Sequence, residues 1–450
     1  MEGEAQIVEE LKKIVQVLEN KQEYEEDWWV YSRIAGKTGS CIAAVRPLNQ
    51  PQVLSVLRFC YDKDIPVTCR GGGSSVTGAS VPERGIVIDM SGLRRIVRLD
   101  TENSFVEVEA GIRLNELESR LNEIDYTLGQ FPQSFELATV GGYISTMGTG
   151  EFSSLYGGIE NSCLSLRIAL PDGEVMETRY TDSPRSSAGP NLTHLFIGAE
   201  GMLGVILAAK LKIYRKERYS RKLAYTLSRF EDSGIIAREL LNLDVRPALF
   251  RAYNSEESMF LFGIDRPVLL LVYNFKSEGV MNEIMNEVKS AVSKHGGREE
   301  SETLVDRYLY ARYRFKEQLE FFSKANIVVE TAEVAAVWTR LFRLYQDIVS
   351  QVKKVKGVSA VGAHISHIYE QGACIYFTVL FEPSRETYGL IWEAVDKACS
   401  NYSATVSHHH GVGILKKDMV KREIPLSLLI KIKDAIDVKG MMNPGKYLQH

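Results

Sequence analysis

Nine residues, Arg70-Gly71-Gly72-Gly73-Ser74-Ser75-Val76-Thr77-Gly78, place the tightest constraint on what this chain can fold into. Three consecutive glycines and a fourth at Gly78 give up their side chains, so nothing holds a ligand off the backbone and φ > 0 is open to it. Successive N–H groups in such a loop can turn toward one anion, and Ser74, Ser75 and Thr77 add hydroxyl donors. Ile65-Pro66-Val67-Thr68-Cys69 before it and Gly85-Ile86-Val87-Ile88-Asp89-Met90 after it read as short strands. Strand, donor-rich loop and strand describe a phosphate cradle. A lone glycine loop is also ordinary turn punctuation, so the rest of the chain has to choose.

Two further glycine-dense stretches bear on that choice. From Gly129 through Pro132, Gln133, Ser134, Thr139, Val140, Gly141, Gly142, Tyr143, Ile144, Ser145 and Thr146 to Gly150, small and hydroxyl residues exceed what a stable helix or strand would select. Irregular backbone of this length inside a compact domain is usually functional. The third stretch is Gly198-Ala199-Glu200-Gly201-Met202-Leu203-Gly204-Val205-Ile206, which enters a strand-like run from Ala208 to Tyr214. Three separate clusters suggest one extended ligand touched in several places, and a dinucleotide with a rigid ring system fits better than a single phosphate. No GxGxxG opens a helix near the N-terminus and no GxxxxGK[ST] occurs, so Rossmann and P-loop readings are poor.

With 450 residues, two or more domains are expected. A net charge of −4 gives no reason to propose nucleic acid as a partner. Six scattered cysteines (Cys41, Cys60, Cys69, Cys163, Cys374, Cys399) have no CxxC pair and suit buried thiols of a reducing compartment. The acidic start Met1-Glu2-Gly3-Glu4 lacks the apolar core of a secretory signal, and the end Leu448-Gln449-His450 matches no peroxisomal or retention address. The most apolar window, Phe196 to Tyr214, is broken by Glu200, Lys210 and Lys212, so no membrane span is expected. The expectation is a cytoplasmic protein, with contact to a membrane surface and homodimerisation left open.

Taken in order, Ile7 to Leu18 has helical periodicity, and Trp28-Trp29 suits packing better than binding. Helices are expected over Gln52 to Lys63 and Arg113 to Asn122, with strands within Ile96 to Ala110. After Lys216 the composition shifts. Helices (Phe230 to Leu243, Met281 to Lys294, Val334 to Val355) then alternate with strands (Val268 to Phe275, Ala373 to Phe381). The fold class expected is α+β.

The glycine loop, Thr139-Val140-Gly141-Gly142 and the stretch Gly198 to Ile206 resemble, in order and spacing, the FAD-binding domain of vanillyl-alcohol-oxidase (PCMH-type) flavoproteins. The resemblance implies a helical segment (1–42), a two-subdomain FAD-binding domain (43–218), an α+β substrate or cap domain (219–404) and a segment returning to the first domain (405–450). It implies that Arg70, Gly71, Gly72, Gly73, Ser74, Ser75 and Gly78 wrap the pyrophosphate, and that Pro132, Thr139, Val140, Gly142, Ser145 and Thr146 run beside the ring system. Glu200, Gly201, Gly204 and Ile206 complete the implied cofactor set. Covalent members carry a histidine or cysteine in these loops; here Cys69 and Cys163 fall outside the usual attachment spots, so non-covalent FAD is implied.

The string His408-His409-His410-Gly411-Val412-Gly413 is the most unusual in the chain. On an extended strand neighbouring side chains alternate faces, so at most two of the three imidazoles would converge. Imidazole suits proton transfer near neutral pH; a metal site would need more ligands, with His364 and His367 the candidates by chemistry, and none is expected. A solvated polar loop is the bland alternative.

Within the family, Ser407 to Gly413 is similar to the Ser-His-His-His-Gly-Val-Gly string of alkylglycerone-phosphate synthases, and Tyr369 to Phe377 to a second segment of theirs. The resemblance implies Tyr376 as acid/base with His408, His409 and His410, and Arg251 and Arg340 at the substrate phosphate, Arg340 also in the catalytic set. Such enzymes exchange the acyl chain of acyl-dihydroxyacetone phosphate for a fatty alcohol, through an adduct at flavin N5. The alternative is the sister group of FAD-linked D-2-hydroxy acid dehydrogenases (D-lactate, glycolate, 2-hydroxyglutarate). Their metal-binding pattern is not reproduced at His364 to Tyr369 or His408 to Gly413, whereas Met442-Asn443-Pro444-Gly445-Lys446 is shared with them. The small-molecule substrate is therefore lipid-like or a hydroxy acid. A third class, a flavin-binding fold without catalysis, leaves Tyr376 and the histidines unexplained.

Overall fold

Four sheets organise the chain, seen in a computed structural model that describes residues 2–36, 38–314 and 321–448. The glycine loop leaves the end of strand Val67–Arg70, which pairs in parallel with Ile86–Asp89, itself parallel to Ala43–Arg46. Parallel neighbours need crossovers, and helix Gln50–Asp62 supplies one. Asn49 caps it by accepting from the Gln52 N–H, with Pro51 in the first turn. Its Val53, Val56, Leu57 and Cys60 face are fully buried.

A five-stranded antiparallel sheet follows, in the order Ile96–Asp100, Phe105–Glu109, Val205–Lys212, Cys163–Ala169, Val175–Glu177. Helix Leu114–Asn122 packs there, and its Leu114, Leu117 and Leu121 join Val106, Val108, Leu166 and Ile168 in one core. The small-residue stretch after Gly129, expected to be irregular, contains a short helix, Val140–Ser145. Thr139 caps it through its side-chain oxygen, which accepts from the Gly142 N–H. Burial of Val140, Gly141, Tyr143 and Ile144 overrides the poor intrinsic propensity of two glycines.

The second half is one seven-stranded sheet, ordered Arg298–Glu300, Tyr219–Thr226, Val268–Phe275, Leu249–Tyr253, Val358–Ile368, Gly372–Phe381, Val328–Val337. Here the expected helix Val334 to Val355 is corrected. Residues up to Val337 form a strand that pairs over ten residues with Gly372–Phe381, and the helix begins at Trp338. The apolar run through Val334 and Val337 suits either period, and cross-strand pairing decides. The N-terminal helix is likewise displaced from the expected Ile7 to Leu18: it spans Glu2–Lys12, and an edge strand Gln16–Val17 follows.

After Thr405 the chain contacts the first half again. Met441 and Asn443 bond to Val67, and the Asn443 amide donates to the carbonyls of Ala79 and Glu200. Lys433, 2% exposed, donates to the carbonyls of Met202 (2.7 Å) and Met442 (2.9 Å) and pairs with the buried Asp437. Among the described residues no helix is long and apolar enough to cross a membrane.

Removing one partner of a buried ion pair leaves the other charge without compensation. Lys433→Met should therefore lower the unfolding free energy by roughly 3–5 kcal/mol, measured by urea titration. A loss below about 1 kcal/mol, the scale of an exposed pair, would mean that Asp437 is satisfied without the lysine.

Candidate active site

A cavity of about 430 Å³ lies between the glycine clusters and one face of the large sheet. Arg70, Gly71, Gly72, Gly73, Ser74 and Ser75 line it, as do Pro132, Thr139, Gly142, Ser145, Thr146, Glu200, Gly201, Gly204 and Ile206. The glycines are needed for two different reasons. A Cβ on Gly71 or Gly72 would lie 2.1 Å from Thr139 Oγ1 or 1.8 Å from the Leu137 carbonyl, so the loop is pressed against the 137–139 segment. Gly142 and Gly201 are less closely pressed: a Cβ would lie 3.2 Å from Thr139 Oγ1 at the first and 3.9 Å from Cys69 Cβ at the second, where φ is +73°. Among the described residues, the N–H groups of Gly72, Gly73 and Ser74 meet no protein acceptor. Buried donors normally find partners, so this donor row fits a diphosphate, and the residues present fit FAD.

Four expected site residues do not reach the cavity. Val140 is fully buried in the adjoining core. Gly78, at φ +77°, makes room for Trp29, whose ring carbon would lie 2.9 Å from a Cβ there. Arg340 is exposed on helix Trp338–Val352, and its guanidinium donates to the Tyr402 carbonyl 3.2 Å away. That corrects its phosphate-binding and catalytic assignments, because a side chain on the outer face of this helix points away from the sheet. His408 stands behind His409, off the cavity wall.

On the sheet, Tyr376 sits opposite His364 on one neighbouring strand and Glu333 on the other. The rings of Tyr376 and His364 stack with centroids 4.7 Å apart. His364 and His367, three apart, would face opposite sides of a regular strand, but a bulge between Ile365 and His367 turns both toward the cavity. His364 accepts from Arg251 Nη2 at 2.8 Å and meets the Glu257 carboxylate through Nδ1 at 2.9 Å. Burial, with the Arg251 charge adding, lowers the His364 pKa, which suits a neutral ring donating from Nδ1 and accepting at Nε2. Arg251 and Arg312 converge on Glu151 at 3.4 and 2.8 Å.

The three histidines lie on a bend, not on an extended strand, so the alternation that would separate them does not apply. His409 Nε2 is 2.5 Å from the Tyr376 hydroxyl, and His410 Nδ1 is 3.3 Å from Glu333 Oε2. The bend is pinned from below. Glu333 Oε1 accepts from the His409 and His410 N–H groups, and Oε2 accepts from the buried Lys416 ammonium at 2.7 Å. Burial alone would raise the Glu333 pKa, but His410 and Lys416 override it and hold it well below the usual carboxylate range. Glu200 accepts from the Val412 and Gly413 N–H groups, and the Thr77 carbonyl from Ile414 and Leu415, so the glycine loop and the histidine bend abut.

Burial, reinforced by Cys374 and Glu333, pushes the Tyr376 phenol well above its ordinary value. Burial, then His410, His367 and His408, lowers His409 well below its own. The resting pair is a neutral phenol against a neutral imidazole. Ring nitrogens of His367, His408 and His409 lie within 4.8 Å of one another. His408 Nδ1 and His409 Nδ1 bond each other at 2.7 Å, and His367 Nδ1 meets Ser153 Oγ at 2.6 Å. Arg312, Glu151, Glu257, Glu333 and Lys416 belong to this site and were not singled out by sequence reasoning. The partner of each is tens of residues or more away; the only local signal is a charge inside an apolar run, as at Glu333.

Beyond the arginines the walls turn apolar, with Phe260, Leu261, Phe322, Val329, Ala360 and Leu380. One cavity thus has an arginine–carboxylate cluster, a phenol–imidazole pair and an apolar wall.

Gly72→Ala places a methyl into the Leu137 carbonyl and should give protein that purifies without flavin colour. The visible absorbance of purified protein measures it; a full complement of flavin would mean that the loop does not grip the cofactor.

Residues 42–179 match the FAD binding domain family and residues 226–447 the FAD linked oxidases C-terminal domain family, which together span most of the chain. An Escherichia coli K12 protein described as an uncharacterized FAD-linked oxidoreductase, YgcU, is 27% identical over 90% of this chain and 88% of its own. The alkyldihydroxyacetonephosphate synthase of Dictyostelium discoideum is 27% identical over 90% of this chain and 72% of its own, and the D-lactate dehydrogenase of Archaeoglobus fulgidus 25% over 98% and 99%. A solved alkyldihydroxyacetonephosphate synthase superposes with a TM-score of 0.82 at 23% identity, covering 98% of this chain and 85% of that one, a likeness of fold. The chain is an FAD-dependent protein of the FAD-linked oxidase superfamily.

Proposed function

We propose that the protein is an alkylglycerone-phosphate synthase-like transferase, exchanging the acyl chain of an acyl-dihydroxyacetone phosphate for a fatty alcohol. The observation that carries the reading is the amphiphilic cavity, in which Tyr376 and His409 stand between the arginines and the apolar wall. Such a substrate is a phosphate at one end and an alkyl chain at the other.

The glycine loop and the segments at 139–146 and 200–206 would hold FAD, which when bound supplies an electron-accepting ring beside the substrate. Arg251 and Arg312 suit a dianionic phosphate, because a guanidinium gives parallel N–H donors. The phosphate competes for them with Glu151. Tyr376 takes a proton from the substrate as its own passes to His409 Nε2, and returns it later. Phe260, Phe322 and Val329 seat the chain and exclude water from the exchange.

A second reading has its own support. Arg251 beside His364 and Tyr376 can equally hold the carboxylate of a D-2-hydroxy acid, and a D-lactate dehydrogenase is among the relatives. That reading needs an electron acceptor; the transferase does not.

Anaerobic mixing separates them. Conversion of palmitoyl-dihydroxyacetone phosphate plus hexadecanol to the ether, with oxidised flavin throughout, is the expected result. Bleaching of the flavin by D-lactate, without ether formation, would overturn it. Tyr376→Phe should lower turnover by about 10²–10⁴-fold with the flavin spectrum unchanged; full activity would remove Tyr376 from the chemistry.

A further inference from the structure

We propose that Tyr376, His409, His408 and Tyr369 form a proton wire running from the cavity wall outward to a half-buried tyrosine at a strand turn. The proposal rests on the reading that Tyr376 handles a substrate proton, and it extends the site to Tyr369, which lies outside the cavity. Three contacts link the four groups in single file. Tyr376 Oη meets His409 Nε2 at 2.5 Å, His409 Nδ1 meets His408 Nδ1 at 2.7 Å, and His408 Nε2 meets Tyr369 Oη at 2.7 Å. Tyr369 is half-buried at the turn between strands Val358–Ile368 and Gly372–Phe381, beside the exposed Glu370, with its hydroxyl turned inward to His408, where burial pushes the phenol up.

Two Nδ1 atoms at 2.7 Å must share one proton, since two N–H groups or two lone pairs would repel at that distance. With both rings neutral, this leaves two arrangements of the whole file. In the outward one, Tyr376 donates to His409, His409 donates from Nδ1 to His408, and His408 donates from Nε2 to Tyr369. In the inward one every donor and acceptor is exchanged. Burial, which holds His408 down to about 4 and His409 well below its ordinary value, keeps both rings neutral.

A substrate proton enters only the outward state, in which a Tyr376 lone pair faces the cavity. Its bond to the substrate breaks, the electron pair stays on the substrate, and an O–H bond forms at Tyr376. The Tyr376 hydrogen moves to His409 Nε2, the Nδ1 hydrogen of His409 to His408 Nδ1, the Nε2 hydrogen of His408 to Tyr369, and the Tyr369 hydrogen to water. One proton leaves, no charge remains on any member, and the file now points inward. Returning a proton by the same route restores it. The wire therefore resets itself in a reaction that removes and returns a proton, but needs ring rotation where the proton is lost at every turnover.

The test begins without substrate. In holoenzyme labelled with ¹⁵N-histidine, NMR should show His408 and His409 as opposite tautomers, one Nδ1–H and one Nε2–H, assigned with His367→Asn and His410→Gln. The same tautomer in both rings, a cationic ring at neutral pH, or stoichiometric zinc on these nitrogens would overturn the wire. Tyr369→Phe should then lower kcat about 10-fold, with KM and flavin spectrum unchanged and the wild-type solvent isotope effect reduced. Palmitoyl-dihydroxyacetone phosphate with hexadecanol, or D-lactate, serves as substrate. Unchanged kcat and isotope effect in Tyr369→Phe would overturn the relay. If neither substrate is turned over, the functional reading fails while the tautomers still decide the wire.

Discussion

Glu333 is fully buried in the middle of strand Val328–Val337, opposite Tyr376, and its two oxygens serve four partners. Burying a carboxylate costs several kcal/mol unless it is paired and its lone pairs are filled. Lys416, itself 1% exposed, supplies the charge, and the N–H groups of His409 and His410 fill much of the rest. The histidine bend can therefore lie in only one place. Glu200 fixes Val412 and Gly413 in the same way from the other half of the molecule. What looks like a loop of imidazoles is a rigid wall, held by carboxylates from two distant segments, against which Tyr376 is set at 2.5 Å.

This arrangement explains which parts of the site were legible in the sequence. The glycine loop could be read because its constraint is local: bare backbone and hydroxyl donors fall within nine residues, with a short strand close on either side. Most of the loop reaches the cavity, and Gly78 does not because its missing Cβ serves Trp29. Arg340 and Arg251 looked equivalent as arginines, yet one lies on an outward helix face and the other on an inward strand face beside His364. Only the sheet register separates them. The same register turned the start of an expected helix at Val334 into a strand, since an apolar run of that length carries no period of its own. The histidines converge because the chain bends there, a consequence of Glu333 seventy-odd residues earlier that no local pattern records.

Family membership and cofactor follow from chain-long similarity and from the donor row, and they leave the reaction open. A neutral phenol hydrogen-bonded to a neutral imidazole is suited to moving a proton without building charge on the protein, and two arginines beside an apolar wall suit an amphiphilic anion. We propose that both features serve a reaction in which a proton is lent and returned.

We propose that this site removes a substrate proton while the flavin stays oxidised. Mass spectrometry of palmitoyl-dihydroxyacetone phosphate, incubated with holoenzyme in D₂O without alcohol or acceptor, tests it most directly. One deuterium on the substrate, absent with Tyr376→Phe, is the predicted result; no deuterium, or a flavin bleached by the substrate, would contradict it.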